Sequence, residues 1–392
     1  MRRAALVISA IFALWSAADG AQAQQVVKIG VILPYSGQFA DTGTQMDNGI
    51  KFYMKQHGDV VAGKKIEIIR KDVGGSAPDL AKRLAQELVV RDGVDILAGF
   101  SLSPNAFAVA DVSAEAKKFM VVMNATAPTL TMKSPYLVRV SLTMGQNCAA
   151  LGAWAYKSGV RHLYTMVSDY APGLDAEGEI VRAFKEAGGE VVGSVRFPLV
   201  TTDFAAFVQR AKDMNPDGIF VFVPGGAQPL ALAKALLERG LDPQEIMLMG
   251  QGELADENVL KSMGDASLGI ITAFHYNYNH KSAKNTDFVK AFNAEFKRNP
   301  DYFAVGGYDG MDLIYQALNK TGGKADGGDL IAAVKAMSWE SPRGPVSIDP
   351  ETRDVIQTVY IRKVERVDGE LVNVEIEKFE NVKDPFKARM KN

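Results

Sequence analysis

Residues 95–131 read DILAGFSLSPNAFAVADVSAEAKKFMVVMNATAPTLT, and their alternation decides the fold. Two short apolar runs, Ile96-Leu97-Ala98 and Phe119 to Met123, each break off into a loop of small and polar residues. Unbroken apolar runs of this length suit parallel strands covered by helices on both faces, which lose the alternation of half-exposed strands. Ser103 stands at the expected helix N-cap, Pro104 at the first helical position, and Asn105 to Lys117 carries the helix. A hydroxyl beside free N–H groups at a helix start, just past a strand end, suits a carboxylate or phosphate oxygen. Taken alone, Ser-Pro at a helix start is ordinary capping chemistry. The second loop, Asn124-Ala125-Thr126-Ala127, changes the weight: in a doubly wound sheet it ends beside the first, and the two form the lips of one anion-holding crevice.

Outward from this stretch the same alternation continues. Upstream, Val26 to Leu33 and Ile66 to Arg70 read as strands. Gly43 to Gln56 reads as a helix with Met46, Ile50 and Met54 at helical spacing. Ser76-Ala77-Pro78-Asp79 forms an S-x-x-D capping box ahead of Leu80, Leu84 and Leu88. Downstream, a second βα series begins. Its strands are His162 to Ser168, Val191 to Phe197, Gly218 to Val223 and Glu245 to Met249. Its helices are Asp175 to Ala187, one opened by Thr202, and Pro229 to Arg239. Two series of similar size predict two α/β domains. Helices marked by Phe288, Phe292 and Phe296, by Gly310 to Leu318 and by Ala332 to Met337 follow. Asp368-Gly369 between two alternating apolar runs signals a hairpin. Helices appended after the second series find a home against the first, so the chain crosses between domains more than once.

The 392 residues are 47% hydrophobic with 36 glycines, enough to bury two large cores. Forty-four basic against 46 acidic residues leave no stripe for nucleic acid. Arg2 and Arg3, an apolar run from Ala4 to Trp15, and Ala21-Gln22-Ala23 make a secretory signal peptide over residues 1–23, cleaved after Ala23. The single cysteine, Cys148, excludes an internal disulfide and sits where a buried, inert thiol is expected. With no cysteine at the cleavage site, the exported product is expected unanchored, in a bacterial periplasm.

Enzymatic signals are weak. Gly250-Gln251-Gly252-Glu253-Leu254-Ala255 matches G-x-G-x-x-A, but the acidic residue expected about 20 positions on is missing from Leu268 to Phe274. His57, His162, His275 and His280 lack metal-ligand spacing. No nucleophile has a base beside it, so no catalytic residue, metal or cofactor is expected.

The opening KIGVILPYSGQFADTG, the loops LAGFSLSPNAFAVAD and VVMNATAPTLT, and the later FVFVPGG and IMLMGQGE resemble, in order and spacing, the type I periplasmic binding proteins of the leucine/isoleucine/valine-binding family. That resemblance covers essentially the whole mature chain. It implies two Rossmann-like lobes, a hinge crossed three times, a ligand shut between lobes, and delivery to the membrane permease of an ABC transporter. Lobe I would be residues 24–145 plus 276–348, and lobe II 146–275 plus 349–392, in a monomer. The family's ligand-carboxylate serine falls on Ser103, with Ser101 and Leu102 as wall. The alanine-threonine pair falls on Ala125 and Thr126, beside Asn124. In lobe II, family tyrosines fall near Tyr170 and on Gly225 or Gly226, the latter opening space. The glutamate that pairs with an amino acid's ammonium aligns with Gly252 or, shifted by one, Glu253. Loss of that carboxylate would leave an ammonium buried without a partner. These departures from the family's pattern, with Phe39, Tyr170, Phe274 and Tyr276 available for flat contacts and Gln251 also expected at the site, point to an aromatic carboxylate of benzoate or cinnamate type. An aliphatic amino acid or amide stays open as ligand, as does a receptor-like sensing role. An exported enzyme using the G-x-G loop is the remaining alternative.

Overall fold

The computed structural model describes residues 25–390; the expected signal segment lies outside them. The first βα series comprises strands β1 (Val26–Leu33), β2 (Val60–Val61), β3 (Lys64–Asp72), β4 (Ile96–Gly99), β5 (Phe119–Val122) and β6 (Leu137–Arg139). Its helices are α1 (Ala40–His57), α2 (Pro78–Val90) and α3 (Ser103–Ala116). The second series adds helices α4 (Met144–Lys157), α5 (Ala171–Glu186), α6 (Ala205–Asp213), α7 (Gln228–Glu238) and α8 (Glu257–Met263). Its strands are β7 (His162–Ser168), β8 (Glu190–Phe197), β9 (Gly218–Phe222), β10 (Met247–Gln251) and β11 (Ile271–Phe274). Three helices follow, α9 (Ala283–Phe296), α10 (Tyr302–Lys320) and α11 (Gly327–Val334), then β12 (Ser338–Ser341), β13 (Gly344–Ile348), β14 (Val355–Val367), β15 (Glu370–Val382) and α12 (Pro385–Arg389).

The first sheet has the order β2-β3-β1-β4-β5-β6 and the second β12-β13-β14-β11-β10-β9-β7-β8, with β15 on β14. Setting aside the short β2, the first sheet winds β3-β1-β4-β5-β6, and the second winds β8-β7-β9-β10-β11. Both are the flavodoxin-like doubly wound order, in which the winding reverses between the first strand and the third. The crevices therefore open between β1 and β4 and between β7 and β9. This is the expected α/β class with two Rossmann-like units.

The appended helices do return. Phe288, Phe292, Tyr302, Val305 and Leu313 join the core of the first sheet with Ile29, Val31 and Val121. Gly49 and Gly307 let α1 and α10 approach so closely that a Cβ on either would lie about 2 Å from a backbone oxygen of the other helix. The chain leaves the first sheet after β6, at residues 140–143, and returns to pack on it after β11, at residues 275–282; β12 and β13 then pair into the second sheet through β14. Asp368 and Gly369 both take positive φ (50° and 85°), and they join the antiparallel β14 and β15 as the hairpin signal implies.

Some local expectations fail. Ser76 caps nothing: the N-cap of α2 is Ala77 with no side-chain bond. Asn105 of α3 holds that turn instead, accepting from the Ala77 N–H (2.9 Å) and donating to Gly75 O (2.7 Å). Phe204, not Thr202, precedes α6. A partner distant in sequence displaces the local cap, which propensity cannot foresee.

Candidate functional site

Both crevices face one cavity, with about 330 Å³ of atom-free space counting its mouth. Phe39 and Thr42 reach it from the β1–α1 connection, Ser101, Leu102 and Ser103 from β4–α3, and Asn124 and Thr126 from the loop after β5. From the second sheet come Tyr170 and Pro172 after β7, Phe222, Pro224 and Gly225 at the end of β9, and Glu253 after β10; Phe303 of α10 completes the wall. A wider depression of about 1,280 Å³ lies among Pro243, Met247 and Ile271. It sits at the starting ends of β10 and β11, away from both winding reversals, so topology favours the smaller cavity.

The first loop is built on unusual backbone. Gly99 and Phe100 both have positive φ (108° and 69°), the latter rare for a bulky side chain. Phe100 is held there by its N–H to Ile32 O (3.1 Å), by its carbonyl accepting from the Ala125 N–H (2.9 Å), and by near-complete burial. Ser103 is the first residue of α3; the N-cap is Leu102, without a side-chain bond. The expected self-cap is therefore wrong, because Ser103 Oγ is occupied elsewhere. It accepts from the N–H groups of Thr126 (3.1 Å) and Ala127 (3.2 Å), which ties the two loops together. With both lone-pair directions used, its own hydrogen is free to donate. Asn124 Nδ2 donates to Ser101 O (2.8 Å) as a second tie.

Thr42 gives its only hydroxyl hydrogen to Phe39 O (2.8 Å), so in its 3.1 Å contact with Ser101 the serine is the donor. Arg139 supports the second loop from behind. Its Nη1 donates to Ala125 O (3.0 Å) and Ala127 O (2.8 Å), one on each side of Thr126. The other edge of the guanidinium grips Asp354 Oδ1 (Nε 3.0 Å, Nη2 2.7 Å), and Lys387 of α12 binds the second oxygen. All three side chains are buried.

On the opposite wall, Glu253 is buried and accepts from Tyr302 Oη (2.9 Å) and the Gly225 N–H (3.2 Å). Burial pushes its carboxyl up to about 7, against the lowering effect of those two donors. Tyr170 stacks on Phe222 with centroids 6.1 Å apart, and burial with the neighbouring Glu253 charge holds its phenol neutral.

Of the residues expected at the site, Phe39, Ser101, Leu102, Ser103, Asn124, Thr126, Tyr170 and Gly225 meet at this cavity; Ala125, Gln251 and Phe274 lie behind its wall. Ala125 serves through its backbone. Gln251 caps the turn into residues 252–255, its Oε1 accepting from the Glu253 N–H (2.9 Å). Phe274 packs onto Gly252, where a Cβ would lie 2.0 Å from the ring, and edge-on to Tyr302 at 4.6 Å. Of the two G-x-G glycines, Gly252 thus makes room for a ring, and Gly250 for Val221 O and the Leu254 side chain. Gly225 opens no free space either: the space a Cβ would take faces Tyr302 Oη at 2.9 Å and the Phe303 ring at 3.3 Å. Of the two alignments left open for the family's glutamate, the cavity wall carries Glu253. Loss of that carboxylate is therefore no argument against an ammonium ligand. Thr42, Pro172, Phe222, Pro224 and Phe303 lacked any local signal; only Phe222, at a strand end before Pro224-Gly225-Gly226, stands where such a signal belongs.

The profile of the family described as periplasmic binding protein matches residues 26–370, and the chain belongs to that family. A Leu/Ile/Val-binding protein homolog 6 of Brucella melitensis is 43% identical, over 98% of this chain and 99% of its own. A solute-binding protein of an ABC transporter from Rhodopseudomonas palustris BisB5, crystallised with 3,4-dihydroxybenzoic acid, superposes with TM-score 0.89 at 52% identity, covering 92% of this chain and 99% of its own. Another from Rhodopseudomonas palustris HaA2, crystallised with p-hydroxybenzoic acid, gives 0.90 at 42%, over 93% and 100%. Among the described residues no helix is long and apolar enough to cross a membrane.

Proposed function

We propose that this protein is the periplasmic solute-binding component of an ABC uptake transporter and that it closes on a small aromatic acid. The observation that carries the reading is the pairing of the two walls. Ser103 and Thr126, with the helix start behind them, hold a carboxylate; Phe39, Tyr170, Phe222 and Phe303 bracket a flat ring. Relatives crystallised with hydroxybenzoic acids support the choice of ligand class. In this reading residues 24–145 with 276–348 and residues 146–275 with 349–392 move as lobes about the segments that join them. The ligand bridges them, and the closed monomer is what the permease engages. The signal segment directs export and is cleaved after Ala23.

A Leu/Ile/Val ligand is the second reading, favoured by Glu253 on the wall and by the name of the Brucella relative. Relatives 52% and 42% identical were crystallised with hydroxybenzoic acids, which favours the aromatic acid. A thermal-shift panel of benzoates, hydroxycinnamates, phenylacetates, leucine, valine and short amides separates the two, because a ligand specific to the folded state raises stability by mass action. Aromatic acids are expected to raise the melting temperature and leucine to leave it unchanged; the reverse pattern refutes the reading.

A further inference from the structure

The cavity holds more hydrogen-bond acceptors than its own donors satisfy, and their placement bears on which aromatic acid fits. Glu253 receives one protein donor on each oxygen, Tyr302 Oη at 2.9 Å and the Gly225 N–H at 3.2 Å, which leaves acceptor capacity on the carboxyl whether or not it carries a proton. At 5% exposure the remaining sites are closed to bulk water. Asn124, equally buried on the same cavity, spends its Nδ2 on Ser101 O, and its Oδ1 has no hydrogen-bond partner. Ser101 donates to Thr42, so its oxygen too is left as an acceptor. A buried acceptor without a donor is costly, and a ligand bearing only a carboxylate brings none.

We infer that the cognate ligand carries a ring hydroxyl as well as a carboxylate, and that Glu253 is the specificity-determining residue that accepts the hydroxyl hydrogen. This rests on the aromatic-acid reading above. The two ends of the ligand divide between the walls: Ser103 and Thr126 lie on the first-sheet side, Glu253 on the second-sheet side, and Phe39, Tyr170, Phe222 and Phe303 line the same cavity. The site is preorganised for this role. Phe274, wedged against Gly252, braces Tyr302, and Tyr302 fixes the carboxylate of Glu253. An acceptor held by two protein donors is positioned for one more hydrogen without reorganising, and such sites discriminate strongly against analogues lacking the hydroxyl.

The test is calorimetric titration of the full mature chain with 3- and 4-hydroxybenzoate, each against its fluoro isostere, which keeps size but cannot donate. At least one hydroxybenzoate is expected to bind tenfold or more tightly than its fluoro counterpart. That ratio is expected to fall at least fivefold in Glu253→Gln or Glu253→Ala, each shown to be folded by a cooperative melting transition. Ratios below threefold for both pairs in the unmodified protein overturn the inference, as does a ratio kept in both variants. Should no benzoate of any kind bind while leucine does, the aromatic-acid reading itself fails, which the hydroxyl comparison distinguishes.

Discussion

Ser103 shows how one hydroxyl performs two tasks. Its oxygen accepts two backbone N–H groups from the neighbouring loop, which leaves its hydrogen for the ligand. Ser103→Ala and Thr126→Val are each expected to weaken binding of a carboxylate ligand by roughly 1–3 kcal/mol, the cost of a buried charged acceptor left short of a donor. Calorimetry on both variants checks this, and unchanged affinity in both removes them from the site. Glu253 makes a different prediction. Its carboxyl, near 4.5 in an unfolded chain, is raised by burial to about 7 in the folded protein. The folded state thus holds its proton over a pH range where the unfolded state has lost it. Stability contributed by the protonated form is fully present below about pH 4.5 and drains away as pH rises to about 7. The span corresponds to roughly 3 kcal/mol. Tyr302 and Tyr170, the phenols beside it, stay neutral throughout this range. Glu253→Gln is expected to flatten this slope and raise the melting temperature of the ligand-free protein at pH 8 by a few degrees. Calorimetric scans from pH 5 to 8 measure it; parallel profiles for both proteins would contradict the burial argument.

At the scale of elements, the loop after β5 is held by side chains far away in sequence. Arg139 clasps the carbonyls flanking Thr126 and joins them to Asp354, just ahead of β14, and through it to Lys387 of α12. Arg139→Lys keeps the charge but loses the planar fork, which cannot be replaced at a multidentate buried site. The expected cost is about 1–3 kcal/mol in urea unfolding. Ligand affinity is expected to fall as well, although Arg139 does not line the cavity. Loss of stability with affinity intact would separate the clasp from the site. A second buried clasp lies where the chain leaves the first sheet: Arg343 pairs with Asp309 (2.9 Å) and donates to Val140 O and Ser141 O.

At the scale of the whole molecule, two sheets of the same winding order face each other so that their two crevices line one cavity. Gly226 sets its backbone against Gln38 O, 3.3 Å from where a Cβ would stand, so the halves meet directly at the rim. Small-angle scattering with and without saturating hydroxybenzoate is expected to show a smaller radius of gyration with ligand. Identical curves would mean that ligand does not drive closure.

The residues by themselves determined the class of fold and the first wall of the site. Apolar runs ended by small polar loops reveal buried parallel strands, and Ser101, Ser103, Asn124 and Thr126 lie within such loops, next to the strands that place them. Only the tertiary structure decided the rest. Whether Gly252 or Glu253 faces the cavity depends on a one-residue turn that Gln251 and the Phe274 ring settle. The space at Gly225 belongs to Tyr302 and Phe303, which lie more than seventy positions along the chain on a helix packed against the other sheet. Local pattern records which face of an element is apolar; which distant side chain arrives there is set by how the layers pack.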